Sequence, residues 1–411
     1  MHHIRSVVLM LIICSVVFVG NAPVAQATTR ATTRDVVDMT VGNDACAVLR
    51  NGTAWCWDNG GTATQVMTNI GLPLTNVKAI EENDYKSYGY RHTCAIAGTA
   101  KNAWCWGENR YGQLGDQSYT DRTSAVVVYK SGGGLLTNIT QISLGHTHTC
   151  GIDTSRQVWC WGENDEGQLG INSTVESVTI ATKVRTASGG ILRNAKNIVS
   201  TYNNTCAHLT NNQVWCWGDG YTCIISCYEY YYNYTAATKH PYANGSQTIY
   251  AGYGNMCALK SGYLQCWGDN SSGQLANWST TSTNYPTYAQ LGNGQYMQGG
   301  ITDVSIGDGF ICAVRSTMVY CAGSNYYNRS GSGLNWYGDC DYWSGCANQH
   351  AYLPLRTVEG QDIVNNVVNL ESGRYSSCFV ARNGSVWCWG YGWTDQKPTR
   401  VKYADGTYMG S

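Results

Sequence analysis

Charge is scarce in this 411-residue chain. Only 13% of its residues are Asp, Glu, Lys or Arg, about half the usual share. With 26 basic against 27 acidic residues the net charge is −1. That balance offers no basic footprint, so nucleic acid is not an expected partner. Six prolines exclude a proline-rich stalk, and three phenylalanines leave the aromatic bulk to tyrosine and tryptophan. After residue 27 no apolar run approaches the roughly 20 residues that span a bilayer, and no segment sustains a helical period. A Gly-x-Ser-x-Gly elbow, a phosphate loop and a zinc-protease motif are all missing from the sequence. Each would mark a specific chemistry, so the chain is expected to be a non-catalytic module without a cofactor.

What is plentiful points elsewhere. The chain has 19 cysteines, 47 glycines, 30 tyrosines and 15 tryptophans, and 43% of it is apolar. That apolar share argues against disorder. So many thiols suit an oxidising compartment, where disulfides persist. The N-terminus agrees. Met1 to Arg5 is a short basic stretch, Ser6 to Gly20 is apolar, and Ala25-Gln26-Ala27 gives a small-x-small cleavage pattern. Residues 1–27 therefore read as a signal peptide. An apolar run of 15 residues is short for an anchor, and Ile13 before Cys14 is too bulky for a lipoprotein site. The expectation is a secreted, cell-surface or periplasmic protein, monomeric, with no membrane insertion after cleavage. Ten Asn-x-Ser/Thr sequons, among them Asn51, Asn138 and Asn277, would matter in a eukaryotic host.

The cysteines recur in local pairs: Cys46 and Cys56, Cys94 and Cys105, Cys150 and Cys160, Cys206 and Cys216, Cys257 and Cys266, Cys312 and Cys321, Cys378 and Cys388. Placing Cys257 opposite Cys266 leaves Ser261-Gly262 as a two-residue turn, a favoured hairpin connection. Cys312 and Cys321 close around Ser316-Thr317 in the same way. Cys46 with Cys56 leaves Arg50-Asn51-Gly52, and Cys378 with Cys388 leaves Arg382-Asn383-Gly384. Gly in the third place suits the left-handed residue of such loops. Each pair thus fits two facing cysteines on adjacent antiparallel strands, where Cα atoms about 4.5 Å apart are within disulfide reach. Cys223 with Cys227 and Cys340 with Cys346 lie outside the hairpin pattern. Pairing them locally accounts for all 18 cysteines of the mature chain, by spacing alone. Zinc is disfavoured because no second pair lies beside each first one.

The first cysteines of successive pairs are 48 to 66 residues apart. A unit of that size suits four short strands, one propeller blade. Eleven of the 15 tryptophans flank the second cysteines, so their expected role is packing between blades. The residues also carry a resemblance. His92-Thr93-Cys94-Ala95-Ile96 is followed by Trp104-Cys105-Trp106-Gly107-Glu108-Asn109 and Gly112-Gln113-Leu114-Gly115. The next copy has His148-Thr149-Cys150, then Val158-Trp159-Cys160-Trp161-Gly162-Glu163-Asn164, then Gly167-Gln168-Leu169-Gly170. In these runs the chain resembles the regulator of chromosome condensation repeat family, and the likeness extends over essentially the whole of residues 28–411. It implies an all-β, seven-bladed β-propeller with four-stranded blades. Paired cysteines are the departure from intracellular members. The C-terminal Lys397 to Val401 looks like the first strand of the unit whose second strand is Val36 to Val48, so the ring is expected to be closed by both termini in one shared blade.

Two copies break the pattern where Gly-Gln-Leu-Gly would fall, with insertions near 219–242 and 324–352. The first carries Tyr228, Tyr230, Tyr231, Tyr232 and Tyr234; the second carries Trp336, Tyr337, Tyr342 and Trp343. Both follow the same strand of their units, so they should emerge on one face. Rigid aromatics on stapled loops give large contact area at low entropic cost. These nine residues are the candidate binding set. The expected partner is an extracellular protein, with inhibition of that partner among the outcomes, since the family includes an extracellular β-lactamase inhibitor. The alternative is a glycan held by the same loops, and an extracellular enzyme is third. His146 and His148 alternate on one strand, but His148 holds the family's His-Thr place and is expected to be a structural hydrogen-bonding residue. Glu163, Asp165 and Glu166 sit in a turn without a calcium-ligand register. No metal is expected.

Overall fold

The computed structural model describes residues 36–41, 44–58, 64–83, 91–220, 233–325, 349–354, 366–374, 376–382, 386–390 and 399–400. These residues form seven four-stranded antiparallel sheets and no helix. In each sheet the strands follow chain order, so every blade is one continuous stretch. The first strands of blades 1 to 7 are Val36–Val41, Ala79–Glu82, Ile139–Leu144, Ala195–Ser200, Thr248–Gly252, Ile301–Gly307 and Val367–Ser372. Each packs on the next and the seventh returns to the first, which makes them the inner wall of a ring. The fold is the expected seven-bladed propeller.

The seven hairpin disulfides are all present, with Cα atoms 4.0–4.1 Å apart. Each joins residues that are direct cross-strand partners, such as Cys150 with Cys160 and Cys257 with Cys266. The tight turns are as read. Lys260 faces Tyr263 and Arg315 faces Met318. Ser261 and Gly262 have φ of 52° and 80°, the left-handed pair that matches strand twist. The pairs Cys223 with Cys227 and Cys340 with Cys346, the signal segment 1–27 and the loop Asn383-Gly384 lie outside the described residues.

Ring closure takes a different form from the one expected. Val36–Val41 does not extend into a second strand. It is the inner strand of blade 1, with Thr40 opposite Cys46 on Asp44–Leu49. Thr399–Arg400 is the outer strand of blade 7, pairing Thr399 with Cys388. Among the described residues no blade mixes the two termini, and the ring closes where blade 1 meets blade 7. The physical reason is that the Cys46–Cys56 hairpin finds its inner partner immediately upstream, so it needs nothing from the C-terminus.

The apolar core sits in the seams. Six clusters of buried residues each span two neighbouring blades, from the 1–2 seam to the 6–7 seam. Trp161, Trp217, Trp267 and Trp389 are fully buried in them. A buried tryptophan removes 150–250 Å² from water, worth roughly 4–6 kcal/mol as an upper bound. The expected packing role of these tryptophans holds.

Candidate functional site

The repeated residues explain the seams atom by atom. His92 Nε2 lies 2.8 Å from Thr149 Oγ1, and His148 Nε2 lies 2.8 Å from Thr205 Oγ1. The histidine of one blade thus meets the threonine of the next. Burial holds His148 down to about 3, with His146 adding like-charge repulsion, so its imidazole stays neutral. The second tryptophan of a blade reaches back. Trp161 Nε1 donates to the Gln113 carbonyl at 2.8 Å, and Trp217 Nε1 to the Gln168 carbonyl at 2.9 Å. The closing glycine of Gly-Gln-Leu-Gly leaves room for that ring. A Cβ on Gly170 would sit 2.7 Å from Trp217 Cδ1. Asn109, Asn164 and Asn270 brace these turns, each accepting from the backbone N–H of the leucine five residues on at 3.0 Å. His148 and the tryptophans are therefore structural.

The insertions follow the third strands of blade 4 (Val214–Gly218) and blade 6 (Met318–Gly323). Both precede the fourth strand, so they leave the same end of the ring. That end also carries the links between first and second strands. Of the nine candidate residues, Tyr228, Tyr230, Tyr231, Tyr232, Trp336, Tyr337, Tyr342 and Trp343 lie outside the described residues. Tyr234 is half-buried opposite Gly218 and packs on the 3–4 and 4–5 seams. The foot of the first insertion is held: Gly220 N–H donates to Asn233 Oδ1 at 3.5 Å, and Asn233 Nδ2 donates to the Glu166 carboxylate of blade 3.

Asn83, Tyr202, Asp308 and Arg374, which sequence reading did not single out, join His146 at the centre of this same end. His146 stacks on Tyr202 with ring centroids 4.1 Å apart and planes 17° apart. Burial pushes His146 down to about 4, and Arg374 adds to the effect. Asn83 Nδ2 donates to the carbonyls of Gly145 at 3.1 Å and His146 at 2.6 Å. Arg374 Nε meets Asp308 Oδ2 at 3.3 Å. Thr147 donates to Glu163. Glu163 is raised to about 7, by burial first, with Thr147 lowering it and Asp165, Glu166 and Glu176 raising it.

Below this mouth runs a central cavity of about 370 Å³ to which all seven inner strands contribute. One arc of its wall is acidic, and the opposite arc is neutral. Glu81 and Glu371 line the acidic arc from blades 2 and 7, and Asp38 of blade 1 and Asp303 of blade 6 lie close enough to act on Glu371. Asp38 Oδ2 accepts from the Ile80 N–H at 3.0 Å, and Asp303 Oδ2 from the Leu370 N–H at 3.1 Å, each capping the next blade. Gln141 and Asn197 do the same job on the neutral arc. Gln141 Oε1 accepts from Ile198 N–H at 3.0 Å, and Asn197 Nδ2 donates to the Ile249 carbonyl at 2.9 Å. Enclosure by protein pushes Glu81 up to about 8, with Asp38 adding repulsion. Its carboxylate is open to the cavity, so water there moderates the rise. Glu371 is raised well above the usual range, by burial first and then by Glu81, Asp303 and Asp38. Among the described residues no group of three or more His, Cys, Asp or Glu side chains is arranged to hold a metal.

Fold and seams define the class: a β-propeller of seven blade-sized repeats, locked blade to blade by the repeat's own residues. Two family models, both described as the regulator of chromosome condensation (RCC1) repeat, match this chain. One matches residues 87–113 and 139–168, the other residues 102–152, 157–200 and 261–314. Over those residues the chain carries RCC1 repeats, in a seven-bladed propeller with a disulfide across the central hairpin of each blade. It is similar to the E3 ubiquitin-protein ligase HERC2 of Homo sapiens, 24% identical over 262 residues, 60% of this chain and 5% of that protein. It is similar to the ultraviolet-B receptor UVR8 of Arabidopsis thaliana, 34% identical over 90 residues, 22% of this chain and 20% of the receptor. The chain thus spans a small fraction of these relatives. The solved structure of Prp20p from Saccharomyces cerevisiae superposes with a TM-score of 0.63 at 19% identity, over 77% of this chain and 76% of that one. That likeness concerns the fold alone.

Proposed function

We propose that this chain is an exported, non-catalytic binding propeller that recognises an extracellular protein through the face bearing its two insertions. One observation carries the reading. Both insertions replace the connection between third and fourth strands, so blades 4 and 6 present them at one end of the ring, on either side of blade 5. Aromatic side chains on loops stapled by short disulfides supply contact area with little entropy to lose. Tyr202, His146 and the Arg374–Asp308 pair lie at the same end of the ring, in the links between first and second strands. Export rests on the leader-like residues 1–27 and on a disulfide in every blade. Prp20p, of the same fold, is described with its binding to Gsp1p and histones, so the scaffold suits recognition of proteins.

The test replaces Tyr230, Tyr231, Trp336 and Trp343 together with alanine in the full chain. Affinity capture from the surrounding extracellular fluid, read by mass spectrometry, should give a partner with the parent protein and lose it with the variant. The thermal midpoint should stay within a few degrees. Undiminished capture by a folded variant would move the site off these loops.

A further inference from the structure

We propose that the outer edge of blade 5, away from the insertion-bearing end, is a second binding site, and that its ligand is a neutral oligosaccharide. Exposed aromatics concentrate there. Tyr285, Tyr288 and Tyr296 are 45–47% exposed, and Tyr242, arriving from blade 4, is 43% exposed. Solvent-facing rings grouped on one edge mark an interaction surface more often than scattered ones do.

The backbone builds the group. The outer strand Thr283–Tyr288 reads Thr-Asn-Tyr-Pro-Thr-Tyr, and Tyr288 faces Gln265 on Tyr263–Gly268. Tyr263 is then the diagonal neighbour of Tyr288, within reach of a large ring. The turn from Leu291 to Gln295 brings Tyr296 back beside Gln290. The three rings meet at centroid distances of 5.5 Å (Tyr263 to Tyr288), 6.2 Å (Tyr263 to Tyr296) and 5.2 Å (Tyr288 to Tyr296). A second group lies three residues back on the same strand, about 10 Å away, where Tyr242 and Tyr285 are 4.5 Å apart. Tyr263 starts its strand at the Ser261-Gly262 turn, the end of the blade opposite Gly268 and the insertion-bearing face.

Charge decides the ligand class. Residues 261–300 contain one charged residue, Asp269. It lies at the other end of the blade, bound to Ser271, Gln274 and Ser282. Two cations beside the group are turned to backbone: Lys260 Nζ to the Tyr242 carbonyl at 3.4 Å, and Arg315 Nε to the Gln298 carbonyl at 2.7 Å. Amides lie beside the tyrosines: Gln265 is opposite Tyr288, Gln290 is paired with Tyr296, and Asn293 and Gln295 bond to each other in the turn between. A neutral sugar ring has an apolar face to lie on tyrosine and hydroxyls for amides, and it brings no charge to be desolvated. Both cations are already engaged by backbone carbonyls, so an acidic glycan or a charged peptide gains less from them than a neutral sugar gains from the rings and amides.

The test uses the full chain on insoluble cellulose, chitin and β-1,3-glucan, and on an array of neutral and acidic glycans. Three forms are compared: the parent, Tyr288→Ala with Tyr296→Ala, and Tyr288→Phe with Tyr296→Phe. The parent should bind at least one neutral glycan, insensitively to salt. The alanine pair should lose about tenfold or more in affinity, and the phenylalanine pair, which keeps the rings, should lose less than about threefold. Absence of any neutral-glycan binding, preference for acidic glycans, or equal binding by the alanine pair would overturn the proposal. Loss of protein capture by the alanine pair without sugar binding would make the edge a protein surface, which also overturns it. The insertion variant of the preceding section should still bind the sugar, so failure of one reading is distinguishable from failure of the other.

Discussion

Blades 2, 3 and 4 are joined by a relay that repeats with the same partners; blades 4, 5 and 6 are not. In the first region histidine meets the next threonine, and tryptophan meets the preceding glutamine carbonyl. In the second region the histidine place is held by Asn204 and Asn255, which turn inward and cap their own blades at the carbonyls of Asp219 (2.7 Å) and Asp269 (2.5 Å). The threonine place becomes Met256 and Ile311, both buried. Blade 6 has Ala322 in the place of the second tryptophan, and blade 5 has Ala276 in the place of the closing glycine. At the 5–6 seam glycine and tryptophan are lost together, whereas Trp267 and Trp389 stay buried where the insertions replace Gly-Gln-Leu-Gly. The difference teaches that these residues belong to seams rather than to blades, and that the insertions replace half of a seam device.

The comparison can be broken by substitution, beginning with the largest effect. Replacing Cys150 and Cys160 by alanine should lower unfolding free energy by about 2.5–3 kcal/mol, from a loop of about ten residues. The same change at Cys257 and Cys266 should nearly match it, because the sequence separations are 10 and 9. A clearly larger loss in blade 5, read by denaturant titration, would mean that the bridges compensate for weaker seams there. Gly170→Ala should cost about 2–3 kcal/mol, since its Cβ would overlap Trp217 and its backbone φ is 63°. The reverse change at the matching place, Ala276→Gly, should stabilise by about 1 kcal/mol at most, by relieving a φ of 53°, because no tryptophan faces it. Equal effects at the two places would deny the pairing of glycine with tryptophan.

Thr205→Val should cost about 1–2 kcal/mol by leaving buried His148 without its hydroxyl. Met256→Thr should give no gain, since Asn204 faces elsewhere. A stabilised M256T protein would contradict this. The smallest effect is on the pH profile of the melting midpoint. Glu81, Glu163 and Glu371 have raised folded values, so the folded chain holds their protons more tightly than the unfolded chain does. Stability from them is greatest below the ordinary value of about 4.5 and declines as pH rises toward about 7 for Glu163 and about 8 for Glu81. His146, His148 and His208 act oppositely. Their folded values are lowered to about 4, 3 and 4, so stability falls as pH drops below 6.5. Glu81→Gln with Glu371→Gln should flatten the decline between about pH 5 and 8 while leaving the acid side as it was. An unchanged alkaline slope would remove these carboxylates from the account.

The blades were legible because their signals are local. Facing cysteines, a two-residue turn and a Gly in the third loop place all act within about ten residues. The seams were legible only as a pattern: nothing near Gln113 says that its carbonyl serves Trp161, 48 residues away. The acidic arc was invisible because Asp38, Glu81, Asp303 and Glu371 meet only when the ring closes. Closure itself was misread, since strand-like ends do not say which hairpin they join. The tyrosine excess was assigned to the insertions. Blade 5 holds a second share, because a register shift on its outer strand turns Tyr285 and Tyr288 outward together.

The central claim is that the insertions serve binding and the regular seams serve stability. The most direct measurement is the thermal midpoint of a chain in which residues 219–233 and 324–348 are both replaced by the shorter connection of blade 3, Asn164 to Glu176. The account predicts a midpoint equal to or above that of the parent. A fall of several degrees would show that the insertions hold the ring together, and would contradict it.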